Sequence, residues 1–240
     1  MTLAHPLDRP VWSALTGERQ AHLALGDRAL ALRLAPDYGL FAVAADDSPE
    51  SLAALAALNT TPAGLGLVET RDAPLPPGVA AKQSACLQMT AAALTAGGPE
   101  LAFEPLVEAD AAEMLALATL TEPGPFFEKT HRLGDFIGVK RNGRLVAMAG
   151  ERMKPDGFTE VSGVCTHPDW RGRGYAGGLM RVVAARILAR GETPYLHAYA
   201  ANTGAIALYE TLGFTVRTPV TFTVLAGVQG GGVERTYGHG

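Results

Sequence analysis

The stretch from residue 164 to 176, Val-Cys-Thr-His-Pro-Asp-Trp-Arg-Gly-Arg-Gly-Tyr-Ala, constrains this chain more than any other. It reads as the end of a strand, a short turn, two arginines threaded between glycines, and then a helix. Main-chain N–H groups at such a helix start lack partners of their own. They form a nest suited to an anion, above all a diphosphate. The ligand-bearing part of the molecule is therefore expected here.

At 240 residues the chain fits one large domain or two small ones, and either buries a real core. With 48% hydrophobic and 18% charged residues, the composition is globular rather than disordered. A net charge of -4 and a pI near 5.9 offer no electrostatic case for nucleic acid or an anionic membrane. Two cysteines, Cys86 and Cys165, imply no disulfide framework and fit a reducing compartment. The first six residues lack the basic-then-apolar pattern of a secretory signal, and no apolar run is long enough to span a bilayer. The expectation is a soluble cytoplasmic protein.

The first hundred residues suggest a small α/β unit. A short helix is predicted over 12–25, with strands over 29–34 and 39–44. Ser48-Pro49-Glu50 then opens a helix well: serine caps, proline takes the first position, and glutamate favours the dipole's positive end. Further strands are predicted over 64–69 and 85–89, and Gly97-Gly98-Pro99 marks a boundary. Beyond it come a strand over 101–106, a helix over 111–120 and a short helix over 126–133. Asn142-Gly143 tolerates positive φ and predicts a tight hairpin between strands 136–140 and 145–151. A strand over 158–166 leads into the glycine motif. Ala176, Leu179, Val183 and Ile187 give the helix over 175–190 one apolar face. A strand over 195–200, a helix capped by Asn202 or Thr203, and strands 214–217 and 220–225 around Pro219 follow. Residues 229–240 read as a loose tail.

Gly172-Arg173-Gly174-Tyr175-Ala176-Gly177 matches the dinucleotide pattern G-x-G-x-x-G, but weakly. Residues 167–171 intervene between strand and first glycine, and Glu192 precedes the next strand instead of closing it. A Walker-type loop fails because no lysine followed by serine or threonine ends the motif. Arg171-Gly172-Arg173-Gly174-Tyr175-Ala176 resembles instead the (Gln/Arg)-x-x-Gly-x-(Gly/Ala) signature of the GNAT superfamily, the acetyl-CoA-dependent N-acetyltransferases. Residues 202–214, Asn-Thr-Gly-Ala-Ile-Ala-Leu-Tyr-Glu-Thr-Leu-Gly-Phe, resemble that family's later segment. The two matches stand in the right order, and the resemblance covers roughly residues 101–225.

The resemblance implies a mostly antiparallel, mixed, twisted sheet flanked by helices. A smaller N-terminal α/β unit (1–98) would precede a catalytic domain (99–228). That unit reads as a degenerate half of the same fold or as an unrelated extension. The resemblance also implies acetyl-CoA as cosubstrate, and no metal is expected because no His/Cys/Asp cluster has metal spacing. The amides of Arg171, Gly172, Arg173, Gly174, Tyr175 and Ala176 would hold the diphosphate, with Asn202 and Tyr209 nearby. The backbone of Val164, Cys165 and Thr166 would pair with the pantetheine arm, and a backbone N–H there would stabilise an oxyanion. The acceptor would be a small-molecule or peptide amine bound near residues 122–127, with Phe126 and Phe127 walling a pocket or filling the core. Oligomeric state is left open.

An ammonium must lose a proton before it can attack, and the departing thiolate takes one. Tyr209 resembles the family's proton donor to sulfur, its other reading being a core contact beside Ile206. Glu160, inside an apolar strand, is the base candidate, its other reading being a solvent-facing residue. Glu151 is the second candidate, and cavity water the third. His167 and His197 read as a surface turn residue and a core or water-linked histidine, and Cys165 as a small buried residue. A coenzyme-binding module without chemistry is the competing class, and a dinucleotide oxidoreductase the third.

Overall fold

The computed structural model describes residues 5–70, 72–98 and 101–228, so the tail expected over 229–240 lies outside the described residues. The chain begins with α1 (Pro10–Thr16), followed by a three-stranded antiparallel sheet of β1 (Ala24–Asp27), β2 (Ala31–Leu34) and β3 (Ala42–Ala44). Then come α2 (Pro49–Ala57), β4 (Leu65–Glu69), β5 (Ala81–Thr90), β6 (Glu104–Leu106) and α3 (Ala111–Thr121). The hairpin of β7 (Phe136–Arg141) and β8 (Arg144–Glu151) leads to β9 (Phe158–Thr166). The order closes with α4 (Tyr175–Ala189), β10 (Thr193–Tyr199), α5 (Thr203–Leu212) and β11 (Thr215–Leu225).

Local chemistry accounts for many of these boundaries. Ser48 Oγ accepts from the Ser51 amide at 3.2 Å and opens α2, with Pro49 in its first turn. Asn142 and Gly143 both take positive φ, 52° and 75°, which turns β7 into β8, with a register shift between Val139 and Lys140. Asn202 Oδ1 accepts from the Ala205 amide at 3.1 Å and starts α5, and Gly213 stops it at φ 104°.

Eight strands form one sheet in the order β4-β11-β5-β10-β9-β8-β7-β6. Every pairing is antiparallel except that of β9 with β10. This is the mixed, mostly antiparallel sheet flanked by helices that the resemblance implied. Strands from both sides of residue 98 alternate in it, because β5 lies between β11 and β10.

Each face of the sheet has its own core. On one, Leu179, Met180, Val183, Ala184 and Ile187 of α4 pack on Ile137, Val139, Val161 and Leu196. On the other, Leu7 and the apolar stripe of α1 meet Leu34, Phe41, Val68, Tyr195 and Phe222. Beside that second core, α3 covers Phe136, Met148 and Cys165.

Besides β1, a strand that was not expected, three elements depart from the sequence expectation. The helix predicted over 12–25 ends at Thr16, because Gly17 turns extended and Arg19 is drawn across to the carbonyls of Pro155 and Phe158. The helix predicted over 126–133 is a single 3-10 turn, Thr130–Arg132. There Thr130 Oγ1 accepts from the Phe127 amide and donates to the Tyr38 carbonyl, so the side chain fixes the backbone in a loop. The two strands expected around Pro219 are one, β11. Its pairing with β4 begins only at Thr221, so Pro219 lies where one side of β11 has no strand and its missing N–H costs no ladder bond.

Candidate active site

The site begins where the sheet comes apart. The strands β9 and β10 pair only at Thr193↔Phe158, Pro194↔Thr159 and Tyr195↔Glu160. After that β10 stays with β5 as far as Tyr199↔Cys86, while β9 stays with β8. Two strands held by different neighbours diverge, and the gap opens into a cavity of about 590 Å³.

A bulge decides what β9 presents to it. The register with β8 shifts between Met148 and Gly150, and Gly163 takes φ 62°. The extra residue reverses the alternation. Val161 and Val164, three apart, both pack on the α4 side, while Cys165 packs with α3. Ser162, Gly163, Val164, Cys165 and Thr166 all line the cavity.

The glycine motif forms one end. Gly172 and Gly174 have φ of 75° and 76°, a region that disfavours any other residue, and a Cβ at either would meet nothing within 4 Å. Gly174 is the N-cap of α4, and no side chain caps the helix. The first-turn amides of α4 therefore have no side-chain acceptor, with the positive end of the dipole behind them. Arg171, Gly172, Arg173, Gly174, Tyr175 and Ala176 all line the cavity. Arg173 stacks on Trp170 at 4.5 Å, and Arg171 Nε donates weakly to the Thr166 carbonyl at 3.4 Å. Neither forms an ion pair among the described residues.

Tyr209 and Asn202, both on α5 or its cap, also line the cavity. Tyr209 is half-buried beside Ile206 on the α4 core, and its hydroxyl makes no hydrogen bond among the described residues. Burial raises its pKa, so the phenol keeps its proton. Burial likewise pushes the Cys165 thiol up to about 12 and the Cys86 thiol up to about 11. Both stay as thiols, which suits the structural reading of Cys165.

Glu160 is 1% exposed and lines the cavity, so it is not the solvent-facing strand residue that the sequence left open. Its Oε2 accepts from Arg152 Nε at 2.8 Å, and its Oε1 from Arg152 Nη2 at 2.9 Å. His197 Nδ1 lies 2.9 Å from the same Oε1. Burial opposes the charge, but Arg152 and the bond from His197 outweigh it and hold the carboxyl well below the usual range. Glu151 is buried too, held by Lys154 at 2.9 Å and Arg190 at 2.7 Å, and is not among the cavity walls. His167 caps the turn before the motif, its Nδ1 accepting from the Asp169 amide.

The orientation of His197 follows from its neighbours. Arg217 Nη1 donates to Gln88 Oε1 at 2.8 Å, and Gln88 Nε2 donates to the Leu7 carbonyl at 2.9 Å. That fixes the amide, so Gln88 Nε2 presents its other N–H to His197 Nε2 at 3.2 Å. The ring therefore accepts at Nε2 and donates at Nδ1 to Glu160. Sequence reasoning missed Arg152, Gln88 and Arg217, which come from three distant segments and carry no motif. It also missed the far wall, formed by Phe41, Val68, Cys86, Val220 and Phe222. The loop expected to bind the acceptor contributes residues 121–125, while Phe126 is buried edge-on against Phe136 at 5.8 Å.

Among the described residues no helix is long and apolar enough to cross a membrane, and no group of three or more His, Cys, Asp or Glu could hold a metal ion. Residues 136–223 match the FR47-like protein family model. A solved structure from Novosphingobium aromaticivorans, assigned to the GNAT family of acetyltransferases, is 46% identical. The alignment covers 94% of this chain and all of that one, with a TM-score of 0.86. Two more distant structures share the fold. A GCN5-related N-acetyltransferase from Kribbella flavida is 19% identical, covers 92% and 95% of the two chains, and has a TM-score of 0.61. A GCN5-related N-acetyltransferase-like protein from Streptococcus suis is 15% identical, covers 93% and 94%, and has a TM-score of 0.62. No curated protein matches. With the arginine-glycine loop at a splayed sheet and a relative of that identity along nearly its whole length, the chain belongs to the GNAT family of acetyltransferases.

Proposed function

We propose that this protein transfers the acetyl group of acetyl-CoA to a primary amine by direct attack. The observation that carries the reading is the uncapped start of α4, with two left-handed glycines, opening into a cavity between two separated strands. The fit to a diphosphate is good: main-chain donors, a favourable dipole and no side chain in the way. Arg171, Gly172, Arg173, Gly174, Tyr175 and Ala176 would hold that group, and Asn202 would border it. Val164, Cys165 and Thr166 would offer backbone groups to the pantetheine arm. The coenzyme supplies the activated acetyl as a thioester.

The chain's own groups then handle protons. An ammonium gives one proton to cavity water, and the free amine attacks the acetyl carbon. The carbon–nitrogen bond forms, the carbon–sulfur bond breaks, and the nitrogen loses its second proton. A main-chain N–H at Val164 or Cys165 would steady the oxyanion. Tyr209 donates to the departing sulfur and recovers its proton from water. Glu160 is assigned to the amine side of the reaction, acting through the partners it fixes. Its depressed pKa makes it a weak acceptor by itself, so it orients His197 and Arg152 around the amine. Residues 1–98 are assigned the far wall of the acceptor pocket, through Phe41, Val68 and Cys86.

The test is calorimetry with acetyl-CoA followed by thiol release with a panel of amines. Binding with acceptor-dependent release is the expected result. Binding without release from any amine would leave a coenzyme-binding module, and tighter binding of NAD than of CoA would leave neither.

A further inference from the structure

Arg152 follows β8 directly, and its guanidinium crosses to Glu160 with two hydrogen bonds. One face lies over the Phe41 ring at 4.5 Å. The residue is 9% exposed, yet it lines the cavity. Its remaining terminal nitrogen, Nη1, has no hydrogen-bond partner among the described residues. A guanidinium donates through five N–H groups in a fixed planar fork. Nη1 is not among the side-chain atoms buried without a partner, so its two donors stay open to the cavity and to a ligand that enters it. The group that matches two adjacent guanidinium donors is a carboxylate.

The surroundings narrow the ligand further. Phe41, Val68, Val220 and Phe222 make the adjoining wall apolar, with the two phenyl rings 6.4 Å apart between centroids. Among the described residues only two acidic side chains line the cavity, Glu122 and Glu160, and Glu160 is already doubly bonded to Arg152. A polycationic acceptor would find no row of carboxylates there. The charges of Arg152 and Glu160 balance, and His197 is bonded in the pattern of a neutral ring. Such a floor suits a ligand that brings one positive and one negative group of its own.

We propose that the acceptor is a free α-amino acid with an apolar side chain, its carboxylate bound by Arg152 Nη1 and its side chain against Phe41 and Phe222. This rests on the transferase reading above and specifies its acceptor. The α-amine gives up one proton to water, bonds to the acetyl carbon as the carbon–sulfur bond breaks, and loses its second proton to water, from which Tyr209 is reprotonated. Sulfur takes its proton from Tyr209. The products are an N-acetyl amino acid and the free thiol.

Matched pairs of acceptors test this on the unaltered protein. Thiol release from acetyl-CoA is measured with L-phenylalanine against phenethylamine, and with L-leucine against isopentylamine. The amino acids are expected to show kcat/KM at least about tenfold higher, because a site built to bond a carboxylate rejects the analogue that lacks it. Equal or faster turnover of the decarboxylated amines would overturn the inference and leave the transferase reading standing. Coenzyme binding without thiol release from any of the four would overturn the inference, and the transferase reading falls with it only if the wider amine panel is inert too. Arg152→Lys keeps the charge beside Glu160 and removes the two Nη1 donors. It should raise KM for L-phenylalanine about tenfold or more while leaving acetyl-CoA affinity within about threefold. An unchanged KM in a folded variant would overturn the inference, and if the variant does not fold, the matched pairs decide.

Discussion

The two ends of the cavity are built from different materials. The end proposed for the coenzyme centres on one consecutive run, 170–177, and what the proposal uses there is main chain. The end proposed for the acceptor draws on Phe41, Cys86, Arg152, Glu160, His197 and Phe222, which span most of the chain, and what the proposal uses there is side chains. A ligand common to a whole family is held by groups every residue has, constrained by backbone angles that glycine permits. A ligand that differs between members is met by side chains that each member is free to change.

Breaking the first end alone gives the largest effect. Gly174→Val forces a branched residue into φ near 76° at the start of α4. Coenzyme affinity should fall by about 100-fold or more, with the far-ultraviolet circular dichroism unchanged. Calorimetry that found the native affinity would contradict the main-chain seat. Tyr209, which also lines the cavity, comes next. Tyr209→Phe should lower kcat by about 100-fold or more and leave the coenzyme dissociation constant within about threefold. Full turnover in that variant would remove the phenol from the chemistry.

The acceptor end is distinguished by its dependence on charge. Glu160 has a depressed folded pKa, so its contribution is present above the unfolded value of 4.5 and is lost as pH falls below that toward the folded value. Urea unfolding of the native protein should therefore show stability declining below about pH 4.5. Glu160→Gln leaves Arg152 buried without its charge partner. It should cost about 3–5 kcal/mol at neutral pH and flatten that acid limb. An acid limb of unchanged slope in the variant would show that other carboxylates govern it. The smallest effect is expected at Arg173, whose guanidinium lies over Trp170. Arg173→Ala should weaken coenzyme binding only about two- to fivefold, with a reduced salt dependence. A larger loss would mean that the guanidinium leaves Trp170 to meet the ligand.

The same division governs what was legible beforehand. The cap at Ser48, the turn at Asn142-Gly143 and the apolar face of α4 rest on interactions within a few residues, so the sequence displays them. The glycine loop was legible for the same reason. The early end of α1 was not, because it depends on Arg19 reaching Pro155 and Phe158. Nor was the loop over 126–133, where Thr130 bonds to Tyr38 instead of leaving the backbone to a helix. Arg152 carries no signal at all: an arginine after an apolar strand is ordinary until Glu160 and Phe41 are known to face it.

Sequence alone determined the strand, turn and helix start proposed as the anion seat, together with the family they belong to. Those features depend on φ angles and first-turn amides, which are properties of consecutive residues. Tertiary structure decided that β5 passes between β11 and β10, that β9 and β10 part after residues 160 and 195, and that Arg152 shares one cavity with Phe41 and Phe222. Pairing of strands and burial of charge bring together residues from eight positions apart, as Arg152 and Glu160, to more than a hundred, as Arg152 and Phe41, and no local pattern records which of them will meet.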